Sequence, residues 1–404
     1  MTAEVRRRPP AAALLALAGD REPGFVNDLA ELVGIDSGSN SPAGVNRVAD
    51  WVGDRLTTLG FTVERVALPA TADGQRVGDV LVARKAGALS AAQGGRRVLL
   101  AAHMDTVFED GTAALRPFTI RAGLAHGPGV CDDKGGLLAG LTALDVLAEA
   151  GVDAYRELVF LATPDEEIGS PASRPVTERI ARKSDVALAL ECARENGDLV
   201  CARKGVADFR VTVTGRAAHA GIEPERGANA ALAAAHLVVA LQGLNGRWDG
   251  VTVNVGVVRA GTRANIVCPE AELRVEVRSA TASGIDAARD AIETAASQPG
   301  VAGTSAHVEQ LDFCPPMEHT PAARRLLATA CELGTELGLS VRATATGGVG
   351  DANLIAGAGI PVLDGLGPVG GADHSPEEWL DLSSVHRRVA LLASLIAVVG
   401  DGRT

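Results

Sequence analysis

The spacing of apolar residues predicts alternating helices and buried strands in the first half of the chain. Val26 and Leu29 recur at helical spacing, and a second helical run extends from Val45 to Leu59 and ends at Gly60. A further helix is predicted over 135–150. Three short apolar runs are typical of buried strands: Arg97–Ala102, Leu158–Thr163 and Val186–Leu190. This order predicts an α/β fold with a mostly parallel sheet and helices on both faces.

The pattern changes near Lys204, where polar and apolar residues begin to alternate as they do in half-buried antiparallel strands. The predicted segments are strand Phe209–Val213, helix Asn229–Leu241, strands Val251–Val257 and Ala271–Val277, helix Ile285–Ala296 and strand Ser305–Gln310. This β-α-β-β-α-β order is that of a ferredoxin-like α+β unit. We therefore predict one α/β domain of residues 1–203 and 316–404, interrupted by an inserted domain of residues 204–315.

Composition excludes several classes of partner. The net charge of −12 argues against nucleic acid, whose phosphates select basic surfaces. No apolar run approaches the ~20 residues that cross a bilayer, so we expect no membrane span. The 6 cysteines include no C-x-x-C pair, which predicts neither a disulfide framework nor a zinc ribbon and fits a reducing cytoplasm.

The N-terminus has a superficial likeness to a secretory signal. Arg6, Arg7 and Arg8 precede a short apolar stretch, but charged residues follow where a small-residue cleavage site would stand. We expect a frayed tail followed by a first helix.

Candidate chemistry begins directly after the predicted strands. His103-Met104-Asp105 follows the strand ending at Ala102, and ligands of open α/β sheets bind beyond the carboxyl ends of strands. Asp132 and Asp133 lie in G-P-G-V-C-D-D-K-G-G, and adjacent carboxylates repel each other unless a cation holds them. The alternatives are a hydrogen-bonded loop histidine and an aspartate that caps the next helix.

Three further acidic or imidazole positions fit the same site. Thr163–Ser170 (T-P-D-E-E-I-G-S) offers one Glu to bind a metal and a second to take a proton from water. Glu191 ends the third apolar strand, and His374 lies in G-A-D-H-S-P-E-E-W before the last helix. Each alone is compatible with a solvated turn, but their convergence on one edge of the sheet predicts a metal site.

These motifs resemble a known family. H-M-D, G-P-G-x-x-D-D-K-G, D-E-E-x-G-S, Glu191 and A-D-H-S are similar, in order, to those of the co-catalytic two-zinc exopeptidases of the aminoacylase and carboxypeptidase G type, which include acetylornithine and succinyl-diaminopimelate deacylases. The similarity covers residues 25–398. It implies a zinc-exopeptidase-like catalytic domain with a ferredoxin-like insert that serves as lid and dimerisation domain.

The resemblance also implies the role of each site residue. One zinc would be held by His103 and Glu191, the other by Glu167 and His374, and Asp132 would bridge the two. Cobalt or manganese can occupy such ligands. Asp105 would orient His103, and Glu166 would be the general base. In relatives the Asp132-Asp133 peptide is cis.

Residues of the insert and of a glycine-rich loop would bind the substrate. His219 in T-G-R-A-A-H-A-G would stabilise the oxyanion, as the family's histidine does from the partner subunit; the alternative is a loop histidine that caps a helix. Arg278, Asn265 and the backbone of Gly348 would bind a substrate carboxylate. Glutamate-cleaving members carry a further arginine near the end of the insert, where this chain has Glu309–Asp312, which puts glutamate preference in question.

The resulting expectation is a cytoplasmic, homodimeric exopeptidase of the glutamate carboxypeptidase type with two Zn²⁺ per subunit. Its substrate would be a small molecule or short peptide with a free carboxylate. The alternative is an N-acyl amino acid deacylase with the same site. A dinucleotide-binding oxidoreductase is disfavoured because G-G-V-G-D-A-N lacks the third glycine and the ribose-binding acid. A non-catalytic binding module is disfavoured because every ligand and the base are retained.

Overall fold

The computed structural model describes residues 9–71 and 74–402, so the predicted tail with Arg6, Arg7 and Arg8 lies outside the described residues. The helices are α1 (Ala11–Val33), α2 (Pro42–Thr58), α3 (Thr112–Leu115), α4 (Lys134–Glu149), α5 (Arg174–Ala181), α6 (Ala230–Gln242), α7 (Ala282–Ser297), α8 (Pro321–Glu336), α9 (Asp351–Gly357) and α10 (Val385–Gly400). The strands are β1 (Thr62–Val66), β2 (Val80–Ala86), β3 (Arg97–His103), β4 (Thr119–Arg121), β5 (Leu124–His126), β6 (Glu157–Thr163), β7 (Val186–Ala189), β8 (Leu199–Arg203), β9 (Gly205–Thr214), β10 (Thr252–Ala260), β11 (Glu270–Ser279), β12 (Ser305–Cys314), β13 (Ala343–Thr346), β14 (Val362–Leu363), β15 (Gly370–Gly371) and β16 (Trp379–Asp381).

The largest sheet has the strand order β1-β2-β6-β3-β7-β14. Strands β6, β3, β7 and β14 run parallel, while β1 and β2 join antiparallel at one edge, which confirms the predicted mostly parallel sheet. In β3, Val98, Leu99 and Leu100 are fully buried, as expected for a strand covered on both faces. This burial on both faces explains why the strand is continuously apolar.

The chain forms two compact units, which we describe separately. The first covers the described residues of Met1–Cys201, His319–Thr346 and Gly350–Thr404; the second covers Ala202–Glu318 and Gly347–Val349. In the second unit β9 to β12 form an antiparallel sheet of order β10-β11-β9-β12, with α6 and α7 in the two crossover connections. The ferredoxin-like insert is confirmed, whereas the domain bounds drawn from the sequence and the lid function stay predictions.

The core of the second unit follows from the alternating pattern. On β9 the residues at every second position are buried, among them Phe209 and Val211, and they pack with Leu237 of α6 and Ile292 of α7. Side chains of a strand alternate between its two faces, so one apolar face meets the helices and the other stays polar.

One expectation about membranes needs correction. Leu382–Gly400 is long and apolar enough, by length and composition, to cross a bilayer, although no such run was expected. However, 78% of this stretch is buried inside the protein, as in a core helix that is apolar all round. Its Arg388 is also buried, and the guanidinium donates to the carbonyl oxygens of Gly365, Gly367 and Gly197.

A small second sheet was not predicted. It has the order β15-β16-β5-β4, and its strands are two or three residues long, too short to show a period of two in the sequence. Its central pair joins Trp379 to His126 and Leu380 to Ala125. The sheet therefore anchors the segment that contains His374 beside the segment that leads into Asp132.

Candidate metal centre

Three of the candidate ligands lie at one edge of the large sheet, where its parallel strands end. His103 is the last residue of β3 and lies in register with Thr163, the last residue of β6. Glu167 follows β6 by four residues and Glu191 follows β7 by two. Because the carboxyl ends of parallel strands share one edge, these side chains converge there.

The side chains form two groups of possible metal ligands that share Asp132. One group is His103, Asp132 and Glu191, the other is Asp132, Glu167 and His374, and within each group the ligand atoms lie within 4.8 Å of one another. Asp132 Oδ1 is 2.9 Å from His103 Nε2, and its Oδ2 is 3.2 Å from His374 Nε2. The two oxygens of one carboxylate therefore face different imidazoles, which is the arrangement a bridging ligand requires.

The donor set fits two divalent cations. It supplies carboxylate oxygens and imidazole nitrogens, which zinc takes readily and which cobalt and manganese also accept. Glu167 Oε1 is buried without a hydrogen-bond partner, while Oε2 lies 3.0 Å from His374 Nε2. Buried polar atoms are rarely left unpaired, and a cation would satisfy this one.

The electrostatics of the cluster favour positive charge. Burial, reinforced by the neighbouring Asp132 carboxylate, raises the pKa of Glu167 to about 7. The hydrogen bond with Asp132, with the nearby Glu167, raises the pKa of His374 to about 9. Burial also raises the pKa of Glu166 well above its ordinary value, and Glu191 adds to the effect. Burial and crowding with like charges make the glutamates harder to ionise, whereas the same carboxylates stabilise the protonated imidazole of His374.

Asp105 is buried and organises the residues around it. Its carboxylate accepts hydrogen bonds from Ser39 Oγ (2.7 Å) and from the backbone N–H groups of Glu166 (3.2 Å) and Glu167 (3.1 Å). His103 Nδ1 lies 3.0 Å from the Asp105 carbonyl oxygen, so Nδ1 donates there and Nε2 is the atom left to bind a metal. The residue thus links the β3 end to the turn that carries Glu166 and Glu167.

The backbone is unusual at two candidate ligands. The Asp132-Asp133 peptide is cis, as the resemblance implied. His374 has φ 61°, in the left-handed region that few residues other than glycine adopt. A positive φ at a residue other than glycine is found most often at functional sites, where surrounding contacts enforce it.

Glu378 was not predicted as a site residue from the sequence. Its carboxylate is buried and accepts hydrogen bonds from the backbone N–H groups of Gly129 (2.9 Å), Cys131 (2.8 Å) and Asp132 (3.0 Å). The only signal in the sequence was its place four residues after His374 in a motif that had already been singled out.

The second unit places the predicted substrate-binding residues in two small groups. The N–H of Ala220 donates to the Asn265 carbonyl at 3.0 Å, so the His219 loop and Asn265 are neighbours. His219 Nδ1 accepts the N–H of Gly221 at 3.1 Å, which leaves the proton of the neutral ring on Nε2, where it is available for donation. His219 and Asn265 are both exposed.

Arg278 already has a carboxylate partner. Its Nε and Nη2 donate to the two oxygens of Glu276 at 2.7 and 3.1 Å, and its Nη1 donates to the Gly347 carbonyl at 2.9 Å. The carbonyl of Gly348 accepts from Arg203 at 3.3 Å. The roles of His219, Asn265, Arg278 and Gly348 toward a substrate stay predictions.

The family model of Peptidase family M20/M25/M40 matches residues 99–398, which include every candidate ligand. The chain belongs to this family. Membership makes it a metal-dependent hydrolase of the peptidase and aminoacylase type, and the cluster around Asp132 is its candidate metal centre.

Relatives extend the similarity over almost the whole chain. Carboxypeptidase G2 of Pseudomonas is 33% identical over 396 residues, which span 96% of this chain and 92% of that protein. The structure of aminopeptidase PepT from Bacillus cereus has a TM-score of 0.75 at 25% identity, covering 94% of this chain and 98% of that one. A tripeptidase from Staphylococcus aureus shares the fold with a TM-score of 0.70 at 24% identity, covering 95% and 99%.

The shared position of Asp132 leads to a prediction about metal content. Asp132→Ala is expected to lose metal from both groups, whereas Glu191→Ala is expected to lose it from one, because Glu191 belongs to a single group. Metal per chain is measured by elemental analysis after dialysis. Asp145→Ala, which removes a helix α4 carboxylate paired with Arg21, is the matched control. Two tightly held metals in Asp132→Ala would contradict the bridging role.

Proposed function

We propose that this M20 family member is a two-zinc exopeptidase of the carboxypeptidase type, acting on a small peptide or amide substrate with a free carboxylate. The observation that carries the proposal is the Asp132 carboxylate, whose two oxygens each face a different imidazole at hydrogen-bonding distance. The 33% identity to a carboxypeptidase over 96% of the chain supports this direction of cleavage.

Within the proposal, each site residue has a chemical task. His103, Glu191, Glu167, His374 and Asp132 hold the metals. Two bound zinc ions supply Lewis acidity, which polarises the scissile carbonyl and lowers the pKa of water toward neutrality. Glu166 takes the proton from the attacking water and delivers it to the leaving amine. Asp105 keeps the His103 ring oriented and fixes the backbone that carries Glu166.

Space for a small substrate adjoins the cluster within the first unit. A cleft of about 530 Å³ is lined by Glu167 together with Ser39, Thr106 and Phe108. A second cleft of about 500 Å³ is lined by residues next to the ligands, including Cys192 and Asp373. Volumes of this size accept a dipeptide-sized ligand and not a folded protein chain.

Recognition of the substrate carboxylate is assigned to Arg278, with Asn265 and the Gly348 backbone, and His219 donates through Nε2 to the oxyanion. The region where glutamate-cleaving relatives carry a further arginine is acidic here, and its Glu309 is already paired with Arg210 at 3.1 Å. We therefore expect the substrate to present one recognised carboxylate and not the two of glutamate.

A hydrolysis screen tests the proposed function. The zinc-loaded protein is assayed against dipeptides, N-acyl amino acids and pteroyl-glutamates. Faster cleavage of peptides supports the exopeptidase, and faster cleavage of N-acyl amino acids supports the deacylase alternative. The absence of metal-dependent turnover on all three substrate classes would contradict both the exopeptidase and the deacylase.

Glu166→Ala is expected to keep its metal and to lower kcat by about 10²–10⁴-fold, because proton transfer loses its acceptor. The measurement pairs kcat on the best substrate with metal content, and Glu166→Gln is the isosteric comparison. Near-normal turnover in Glu166→Ala would show that another group is the base.

Arg278 offers a test of substrate binding with a matched control on the same strand. Arg278→Lys is expected to raise KM more than it lowers kcat, because lysine cannot form the two parallel bonds of a guanidinium. Arg274 pairs with Glu272 in the same i, i−2 arrangement on β11, so Arg274→Lys controls for the loss of such a pair. Equal changes of KM and kcat in Arg278→Lys and Arg274→Lys would show that Arg278 does not bind the substrate.

We also propose a cytoplasmic homodimer formed through the second unit. Strand β10 lies at an edge of its sheet, and α6 and β10 expose Val239 (75%) and Val258 (52%). Exposed edges with apolar side chains favour pairing with another chain. The free cysteines of the described residues fit a reducing compartment.

A charge on this face should separate the subunits. Val239→Glu is expected to convert the dimer to a monomer in sedimentation at working concentration, because a carboxylate would be buried without a partner. Leu311→Glu, on β12 at the opposite edge of the same sheet, should leave the dimer intact. A wild-type monomer would refute the dimer.

A further inference from the structure

Glu378 has an unusual carboxylate outside the proposed ligand set. The residue is 1% exposed, yet its two oxygens accept three backbone N–H groups: Oε1 from Cys131 and Asp132, and Oε2 from Gly129. A buried carboxylate is costly unless hydrogen bonds replace its water. Three bonds to one short loop therefore indicate a specific fit between this side chain and that loop.

The loop in question carries the shared metal ligand. It connects β5 to α4 and turns through two glycines with positive φ, Gly127 (150°) and Gly129 (73°). A chain that turns this sharply directs successive N–H groups inward without strand or helix partners, and such groups must find acceptors. Glu378 accepts three of them, including the N–H of Asp132 itself.

Glu378 is itself held against this loop by the backbone. It directly precedes β16, whose Trp379 pairs with His126 of β5, and its own carbonyl oxygen lies 3.0 Å from His126 Nδ1. His374 lies four residues earlier in the same segment. One stretch of chain thus provides a metal ligand and also the acceptor that fixes the backbone of the bridging ligand.

We propose that Glu378 is a positioning residue for the metal pair: it fixes the backbone of Asp132 so that one carboxylate reaches both cations. The inference rests on the proposed two-metal function. Asp132 must place two oxygens within reach of two separate sites, so a small rotation of its backbone would detach one of them. Residues that orient metal ligands typically change metal affinity by about 10–100-fold when removed.

Two substitutions of Glu378 should weaken its contacts with the loop to different extents. In Glu378→Gln the amide oxygen can still accept from Cys131 and Asp132, but the amide nitrogen would face the N–H of Gly129, donor against donor. Glu378→Ala removes all three acceptors. Glu377 is the matched control, since it is the adjacent glutamate in the same loop but is exposed, and its backbone N–H donates to Ser375 Oγ.

The experiment titrates Co²⁺ into the metal-free full-length chain, followed by visible absorption and calorimetry. Thermal unfolding of each metal-free protein is measured in parallel. Wild type and Glu377→Ala should bind two Co²⁺ with affinities within twofold of each other. Glu378→Ala should bind at least one Co²⁺ about 10–100-fold more weakly, with a changed absorption spectrum, and Glu378→Gln should fall between.

The outcomes separate positioning from general stability. Unchanged Co²⁺ affinities in Glu378→Ala, whatever its unfolding temperature, would overturn the proposal. If Glu378→Ala does not fold, Glu378→Gln decides: wild-type affinities and spectrum in that variant would overturn it equally. A wild type that binds no pair of Co²⁺ ions would contradict the proposed function itself, and this failure is visible before any variant is compared.

Discussion

The mutual repulsion of half-buried carboxylates is the constraint around which this structure is arranged. Asp132, Glu167 and Glu191 meet at one edge of the sheet, with Glu166 beside them, and such a concentration of negative charge opposes folding unless cations neutralise it. Together with burial in the case of Glu167, this excess of negative charge raises the pKa values of Glu167 and His374. Metal binding would relieve it, so the centre is coupled to stability as well as to chemistry.

Around that cluster, further hydrogen bonds hold the backbone that carries the candidate ligands. Asp105 accepts the N–H groups of Glu166 and Glu167 and fixes His103, and Glu378 does the equivalent for Asp132. In both cases a buried carboxylate accepts hydrogen bonds from backbone N–H groups of a loop that carries candidate ligands. The loops are thereby held by side chains that come from elsewhere in the chain.

Much of the fold and the gathering of the five candidate ligand residues could be predicted because each signal was local. Continuous apolar runs mark strands buried on both faces, and acidic or imidazole residues directly after them share the edge where parallel strands end. Glu378 could not be found this way, since a glutamate that accepts backbone N–H groups looks in sequence like one in a solvated turn. The small sheet that contains β5 and β16 was not predicted because a strand of three residues is too short to show a period of two.

The pairing of Arg278 with Glu276 was within reach of prediction but was overlooked. Residues two apart on a strand share a face, so V-E-V-R places both side chains on one side of β11. A substrate carboxylate would have to compete with Glu276 for the guanidinium, or join it there. Selectivity for the substrate would then depend on how readily this internal pair opens.

The hydrogen bond from Asp132 to Glu378 spans 246 residues of sequence. At synthesis rates of roughly 5–20 residues per second, the loop bearing Asp132 is synthesised roughly 12–50 s before its acceptor. During that interval neither Glu378 nor His374 is available to the loop. A growing chain can therefore hold no complete catalytic centre, which would delay the onset of hydrolysis until the two distant segments have met.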